Sequence, residues 1–397
     1  ASMSALYFLG NDLVYLVQVA YTSVDSFPIM ALPAFILAGA LMEYAGISKR
    51  LVNVAEALAG PATGGLASAT VLACLFFGAI SGSGPATTAA VGMLMIPAMI
   101  RRNYDKGYAS AITASSGGLG VVIPPSIPMV IYGVSGNQSI AKLFIAGFIP
   151  GIIIAGGLMV VNYHLCRKKG YTGSGHKWSV RVLGKAIKDG FWSMMAPVVI
   201  LGGIYTGFFT PTEAAVVAIF YTLFVGIFIH RELRWNGCAK SLEACTWLTG
   251  RVLLIMFTAR AFGRLLVQYR IPEIIANALL AMTNNVYIIL ALIIAFLIFV
   301  GMFMETLATI MILTPVLLPV VVKLGVDPIH FGIILVCCCE IGFETPPLGE
   351  NLFIASGIAD TSIEDISLKA IPFSIVEISA VFLIAYVPAI SLWLPTL

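Results

Sequence analysis

Apolar residues in this chain run in long blocks separated by short polar loops, and the blocks are too long for strands. Stretches 5–21 and 27–45 are long enough for helices, the second opening after Asp25-Ser26, an N-cap signal. Ile47–Ala59 differs. Its Lys49, Arg50, Asn53 and Glu56 oppose Leu51, Val52, Val54, Ala55 and Leu58, which predicts an amphipathic arm in the membrane interface. Apolar runs 66–80 and 87–100 are interrupted by Ser81-Gly82-Ser83-Gly84. Neither arm supplies the ~20 residues that cross a ~30 Å hydrocarbon layer, so a re-entrant hairpin over 66–100 is predicted. The next block, 108–134, can cross, but Ser115, Ser116, Gly117, Gly118, Gly120 and Pro124-Pro125 interrupt it, and unwinding near its middle is expected. Further spans are predicted at 143–165, 191–209, 213–229 and 251–269. A second interfacial arm is expected at 235–249, Ile271–Met282 repeats the arm pattern, and a last helix covers about 371–394.

The hairpin and the broken span occur twice. At an offset of 222 residues Ala86/Ala308, Thr87/Thr309, Pro97/Pro319, Asp105/Asp327, Gly120/Gly342, Pro124/Pro346 and Pro125/Pro347 coincide. The Pro and Asp landmarks carry the weight, because apolar chains match one another easily at Gly and Ala. The second copy is a hairpin over 288–322 and a broken span over 331–356.

Composition turns these helices into membrane helices: 59% of the 397 residues are hydrophobic and 10% charged, with mean hydropathy +0.99. The net charge of +3 matters less than its placement. Basic residues gather at Arg101, Arg102 and Lys106, between Arg167 and Lys188, and at Arg231 and Arg234, which makes these loops cytoplasmic. Counting spans between them gives the first hairpin a cytoplasmic mouth and the second an external one. The repeats are therefore predicted to be inverted. No basic patch suits nucleic acid, and the surroundings are membrane lipid. The seven cysteines form no CxxC pair, and Cys337, Cys338 and Cys339 read as small core residues. The four histidines stand at loops or span ends, and no aspartate pair lies within a span, which argues against a hydrolase.

Inverted repeats with discontinuous helices are the recurrent build of secondary transporters. Helix ends at a break leave amides that attract carboxylates, and carbonyls and hydroxyls that coordinate a cation such as sodium. The first half offers Ser81, Gly82, Ser83, Gly84 and Thr87 at the tip, and Ser115, Ser116, Gly118, Gly120, Val121 and Pro124 at the break. The second offers Glu305, Thr306 and Thr309 opposite Gly342, Glu344 and Thr345. Each set can hold one sodium ion. Ser81, Gly82, Ser83, Ser115, Gly118, Val121, Pro124, Glu305, Thr306, Gly342 and Thr345 are the candidate ion ligands. Gly84, Thr87, Ser116, Thr309, Glu344, Glu350 and Arg260 are the candidates for substrate. Arg260 has a competing reading as a structural ion pair or a snorkelling residue, and Arg264, Glu340 and Glu377 are further ionisable residues within apolar stretches that need a reason.

The motifs GAISGSGPATTAAVGMLMIPAM, IPPSIPMVIYGV, YTGFFTPTEAA, GMFMETLATIMILTPVLLP, DPIHFGIILV and TPPLGENLFIASGIA resemble the large membrane subunit of tripartite ATP-independent periplasmic (TRAP) transporters, of the dicarboxylate-transporter type. The resemblance covers nearly the whole chain and implies an N-terminal portion of about one span before residue 1. It implies an all-α polytopic protein of the bacterial cytoplasmic membrane with two inverted repeats and an elevator motion. Scaffold helices and the first arm would occupy 1–65, and a transport unit 66–142 and 284–358. Scaffold and second arm would occupy 143–283, and a C-terminal helix 359–397. It also implies uptake of an organic acid such as a C4-dicarboxylate or sialic acid, driven by about two sodium ions. The expected partners are a small membrane subunit and a soluble periplasmic substrate-binding protein. A sodium/carboxylate symporter working without a binding protein is the alternative. Gly84 stands where alanine is common in the family, and Glu344 and Glu350 where apolar residues are common. The two acids count against a plain dicarboxylate and leave a zwitterionic or amine-bearing acid, or a sugar acid, open.

Inversion has a direct test. With the native cysteines replaced, a cysteine at 102 should react with an impermeant reagent only from the cytoplasmic side and one at 325 only from outside. Labelling of both from one side would contradict the inverted reading.

Overall fold

A computed structural model describes residues 27–60, 62–173, 179–283 and 285–396, together with positions 14, 18, 21 and 22. The stretch 5–21 thus lies for the most part outside the described residues. Among those described there is no strand. Six helices are long and apolar enough to cross a membrane, or up to eight if each bent pair is one span.

The chain opens with α1 (Ala31–Tyr44), the arm α2 (Ile47–Ala59), the hairpin helices α3 (Gly65–Ser81) and α4 (Gly84–Ile100), and the broken pair α5 (Lys106–Val122) and α6 (Ile127–Gly136). Helices α7 (Ile140–Lys169), α8 (Val180–Tyr205) and α9 (Pro211–Phe224) follow, the last ending in a π turn, Val225–Ile229. A 34-residue helix, α10 (Trp235–Gln268), leads into α11 (Ile271–Met282) with a 65° bend between them. The second copy is α12 (Val286–Gly301), α13 (Thr306–Lys323), α14 (Pro328–Phe343) and α15 (Glu350–Ala359), followed by α16 (Ile363–Tyr386) and α17 (Ala389–Leu392).

Three expectations need correction. Residues 115–120 stay helical, and the first break is confined to 123–126, with a bend of 42°. The serines and glycines there serve close packing: a Cβ at Gly117 would fall 1.8 Å from Thr88 Oγ1. Stretches 235–249 and 251–269, predicted as an arm and a span, are one continuous helix of about 50 Å at 1.5 Å per residue. The last long helix begins at Ile363, ahead of 371, because Ser362 accepts from the Asp365 amide and caps it.

Packing follows the repeat. Helix α5 is buried from Gly107 to Val122 and α14 from Ile329 to Phe343, and the two lie against each other at the centre. The second segments cross over: α6 packs on α13 and α14, and α15 on α4 and α5. Helices α7 and α16, each following a broken pair, both contact α5 and α14. Two asymmetries stand out. The arm α2 lies on α3, the first helix of its hairpin, whereas α11 lies on α13, the second helix of the other. In addition α3 and α4 pack along each other, whereas α12 and α13 touch little and are joined through α14.

The aspartates paired in the repeat do the same work. Asp105 accepts from the Tyr108 amide at 2.9 Å, and Asp327 from the Ile329 and His330 amides at 2.7 and 3.2 Å, so each caps a broken helix. Asp105 also receives Lys369 Nζ at 2.5 Å, tying α5 to α16. Partial burial alone pushes the Asp105 carboxyl up, but the Lys369 ammonium and the Tyr108 amide outweigh it and hold it below the ordinary aspartate value. A carboxyl held low adds stability that is present above the unfolded-state value and is lost as pH falls through the folded-state value. Asp105→Ala should cost about 1 kcal/mol. The difference in Tm between wild type and variant should be full at neutral pH and shrink below about pH 4; a difference that ignores pH would contradict the cap and ion pair.

Candidate functional site: two hairpin tips against two broken helices

In the first half the tip is a two-residue reversal, Gly82-Ser83. Gly82 has φ +63°, and a Cβ there would lie 2.7 Å from Pro125 O, so the reversal requires glycine both for its backbone and for its contact with the break. Ser83 caps α4, its Oγ accepting from the Ala86 amide at 3.5 Å. Thr87 Oγ1 donates to Ser83 O at 2.8 Å, and Ser81 Oγ and Thr87 Oγ1 share a hydrogen bond of 2.7 Å. The break docks on this tip through the Ile127 amide, which donates to Gly82 O at 3.1 Å. Ser126, which sequence reasoning passed over, bridges the break. It donates to Val121 O at 2.5 Å and accepts from the Met129 amide at 3.3 Å, satisfying one orphaned group on each side.

The second half repeats the plan with different side chains. Glu305 caps α13, its Oε2 accepting from the Leu307 and Ala308 amides at 2.9 and 3.1 Å. Thr309 Oγ1 donates to Glu305 O at 3.0 Å, as Thr87 does to Ser83. Leu348 N donates to Met302 O at 3.0 Å, so this tip and break are also joined by a backbone hydrogen bond. Thr345 Oγ1 turns back to Ile341 O at 2.6 Å. Gly342 packs on Gly301, and in the first half Gly120 lies close to Gly78.

Both tips open on one cavity of about 200 Å³. Its walls include Gly82, Ser83, Gly84 and Val121 from the first half, Glu305, Thr306 and Glu350 from the second, and Ile36, Arg251, Val252 and Ile255 from α1 and α10. Arg251 Nη2 lies 3.5 Å from Glu350 Oε1, with side-chain exposures of 47% and 25%. So loose and exposed a pair contributes about 0–1 kcal/mol.

Not every predicted residue reaches the cavity. Glu344 turns inward, where Ser115 Oγ donates to its Oε2 and the Glu377 and Ser374 side chains approach it. Glu340, Glu344 and Glu377 are all buried, and among the described residues neither oxygen of Glu340 has a hydrogen-bond partner. Gly118 packs against the Glu340 side chain. Ser116 Oγ bonds within its own helix, to Ile112 O at 2.6 Å. Arg260 lines a separate cavity of about 290 Å³ with Ser135, Arg264, Met311 and Pro315. Arg251 was missed because the expected arm-to-span junction put it at a membrane boundary; a continuous α10 puts it mid-helix, where a charge would have stood out.

The family model described as "Tripartite ATP-independent periplasmic transporter, DctM component" matches residues 1–390. The chain belongs to the DctM family. It is therefore a transporter component and no enzyme, a multi-pass protein of the bacterial inner membrane. Relatives include the isethionate TRAP transporter permease protein DctMQ of Oleidesulfovibrio alaskensis, 46% identical over 96% of this chain and 60% of that protein. The chain thus spans about 60% of that relative's length. The C4-dicarboxylate TRAP transporter large permease protein DctM of Pseudomonas aeruginosa is 38% identical over 99% of this chain and 92% of that one. The sialic acid TRAP transporter large permease protein SiaM of Vibrio cholerae is 37% identical over 94% and 87%. Among solved structures, the YdaH transporter of Alcanivorax borkumensis matches with TM-score 0.68 at 16% identity, covering 95% of this chain and 89% of that chain. That likeness is one of fold alone.

The glycine contacts that seat this DctM chain's hairpins give a stability test. A Cβ at Gly342 would lie 2.6 Å from Gly301 O, whereas none of the described residues comes within 4 Å of one at Gly357. Gly342→Ala should destabilise by about 1–3 kcal/mol, and Gly357→Ala should be neutral or stabilise by up to about 1 kcal/mol. Thermal unfolding in detergent checks both, and equal effects would contradict the packing.

Proposed function

We propose that the protein is the large membrane subunit of a sodium-driven importer of a small organic acid. A soluble periplasmic binding protein delivers the acid, and a small membrane subunit braces the large one. The relatives are named for isethionate, C4-dicarboxylates and sialic acid, all of them acids. The observation that carries the reading is the pairing of each tip with a break around one cavity, with α10 forming the opposite wall.

The donor sets suit a hard cation of low charge, since they consist of uncharged hydroxyl and carbonyl oxygens. Ser81 Oγ, Ser83 O and Thr87 Oγ1 converge in the first half, and Glu305 O and Thr309 Oγ1 in the second. These residues, together with Val121, Pro124, Thr306, Gly342 and Thr345 of the tips and breaks, would hold sodium, which supplies the driving force when bound. The tip-plus-break units, which include Gly84 and Glu350, then carry the acid past α1 and α10 in an elevator motion. Their hydrogen bonds to one another support movement as one body.

Replacing Ser83 or Thr309 with Leu should reduce sodium-dependent uptake to background in proteoliposomes holding both membrane subunits and the binding protein, with assembly unchanged on size exclusion. Uptake near the wild-type rate would refute the assignment. Full uptake without the binding protein would favour a stand-alone symporter.

A further inference from the structure

The charge of the central cavity is unbalanced. Among the described residues lining it, Arg251 is the one basic side chain, while Glu305 and Glu350 are acidic. The two acids are held differently. Glu305 is fixed by two amides at the start of α13. Glu350, in the first turn of α15, has a 3.5 Å contact to Arg251, long for a charge-assisted hydrogen bond and partly open to water. An acid group that brings two oxygens to the guanidinium fork makes the better contact and displaces it.

We propose that Arg251 is the anion receptor of this cavity, that Glu350 holds it while the cavity is empty, and that the site takes a small acid with a single negative charge in exchange for Glu350. This rests on the reading of the chain as an acid importer. Volume bounds the size: about 200 Å³ falls below the ~300–1,000 Å³ of pockets for drug-sized ligands. Charge bounds the class. Among the described residues a second acid group finds no second basic side chain in the lining and meets Glu305, the freed Glu350 or the apolar wall of Ile36, Val252, Ile255 and Phe343. A hydroxyl or an ammonium in that place suits the carboxylates instead. The exchange also has a mechanical side. Among the described residues, Arg251–Glu350 is the one ion pair joining α10 to α15, so the acid that occupies Arg251 also frees the broken helix from the long one.

Calorimetric titration of the purified two-subunit membrane complex, in saturating sodium, tests this with three probes. They are 2-hydroxyethanesulfonate, its amine analogue 2-aminoethanesulfonate, and succinate. A sulfonate should bind, and succinate about tenfold or more weakly than it. Glu350→Gln, which removes the competitor, should lower the Kd of that sulfonate by about threefold to tenfold. Arg251→Gln should raise it about a hundredfold, with Arg251→Lys between. A gain of affinity in Glu350→Gln cannot come from misfolding. Succinate binding as tightly as the sulfonates, or Glu350→Gln weakening the sulfonate, overturns the proposal. So does absence of sulfonate binding. In each of these cases sodium-driven uptake of some other acid by the full system leaves the importer reading standing, whereas absence of any acid uptake removes that reading as well.

Discussion

Backbone amides and carbonyls at a helix end have no water to turn to inside a bilayer, and this chain places four such interruptions among apolar helices. Every other feature of the core answers that constraint. Each hairpin tip lies on a break, joined by a hydrogen bond from Ile127 N to Gly82 O in one half and from Leu348 N to Met302 O in the other. Ser83, Ser126 and Glu305 satisfy amides at the restarting helices, and Ser126 also takes the Val121 carbonyl. Tips can reach the breaks only if the helices behind them approach closely. Hence glycine faces glycine at Gly78 and Gly120, and again at Gly301 and Gly342. The crossing of α6 onto α13 and of α15 onto α4 then locks the halves together.

The halves share a frame and differ in chemistry. Ser83 and Glu305 occupy the same capping position, yet one is a neutral hydroxyl and the other a carboxyl lining the cavity. Val122 in the first copy corresponds to Glu344 in the second, and Glu344 reaches across to Ser115 on the first broken helix. The buried carboxyls of Glu340 and Glu377 stand in the same region, away from the cavity. Symmetry thus builds the tip-plus-break units, and departures from it distribute the charge: Glu305 and Glu350 toward the cavity, Glu344 toward the interior.

Much of this was legible in the sequence, for reasons that can be stated. Proline, the capping Asp residues and the SGSG interruption act locally, so the hairpin arms and broken helices fell within a few residues of their expected bounds. What was not legible depends on neighbours. Gly117, Gly118 and Gly120 lower helix preference wherever they occur, but whether they unwind a helix or let another approach is decided by Thr88, Glu340 and Thr87 beside them. Lys240 and Glu243 suggested an interfacial arm; α10 stays continuous through them, and Arg251 moves from a boundary to a cavity wall. Side-chain direction after the second break was equally hidden, and it separates Glu350, in the cavity, from Glu344, which is not.

The central claim is that tip and break form one body which moves against the long helices. Pulsed electron-paramagnetic-resonance distances between spin-label pairs, measured with and without sodium and substrate, test it most directly. One pair joins Arg102, just after α4, to Lys188, in the N-terminal half of α8, and another joins the first tip to α6. The account predicts that the first distance shifts by several ångströms while the second keeps its value. A tip that separates from its break while the first distance stays constant would contradict it.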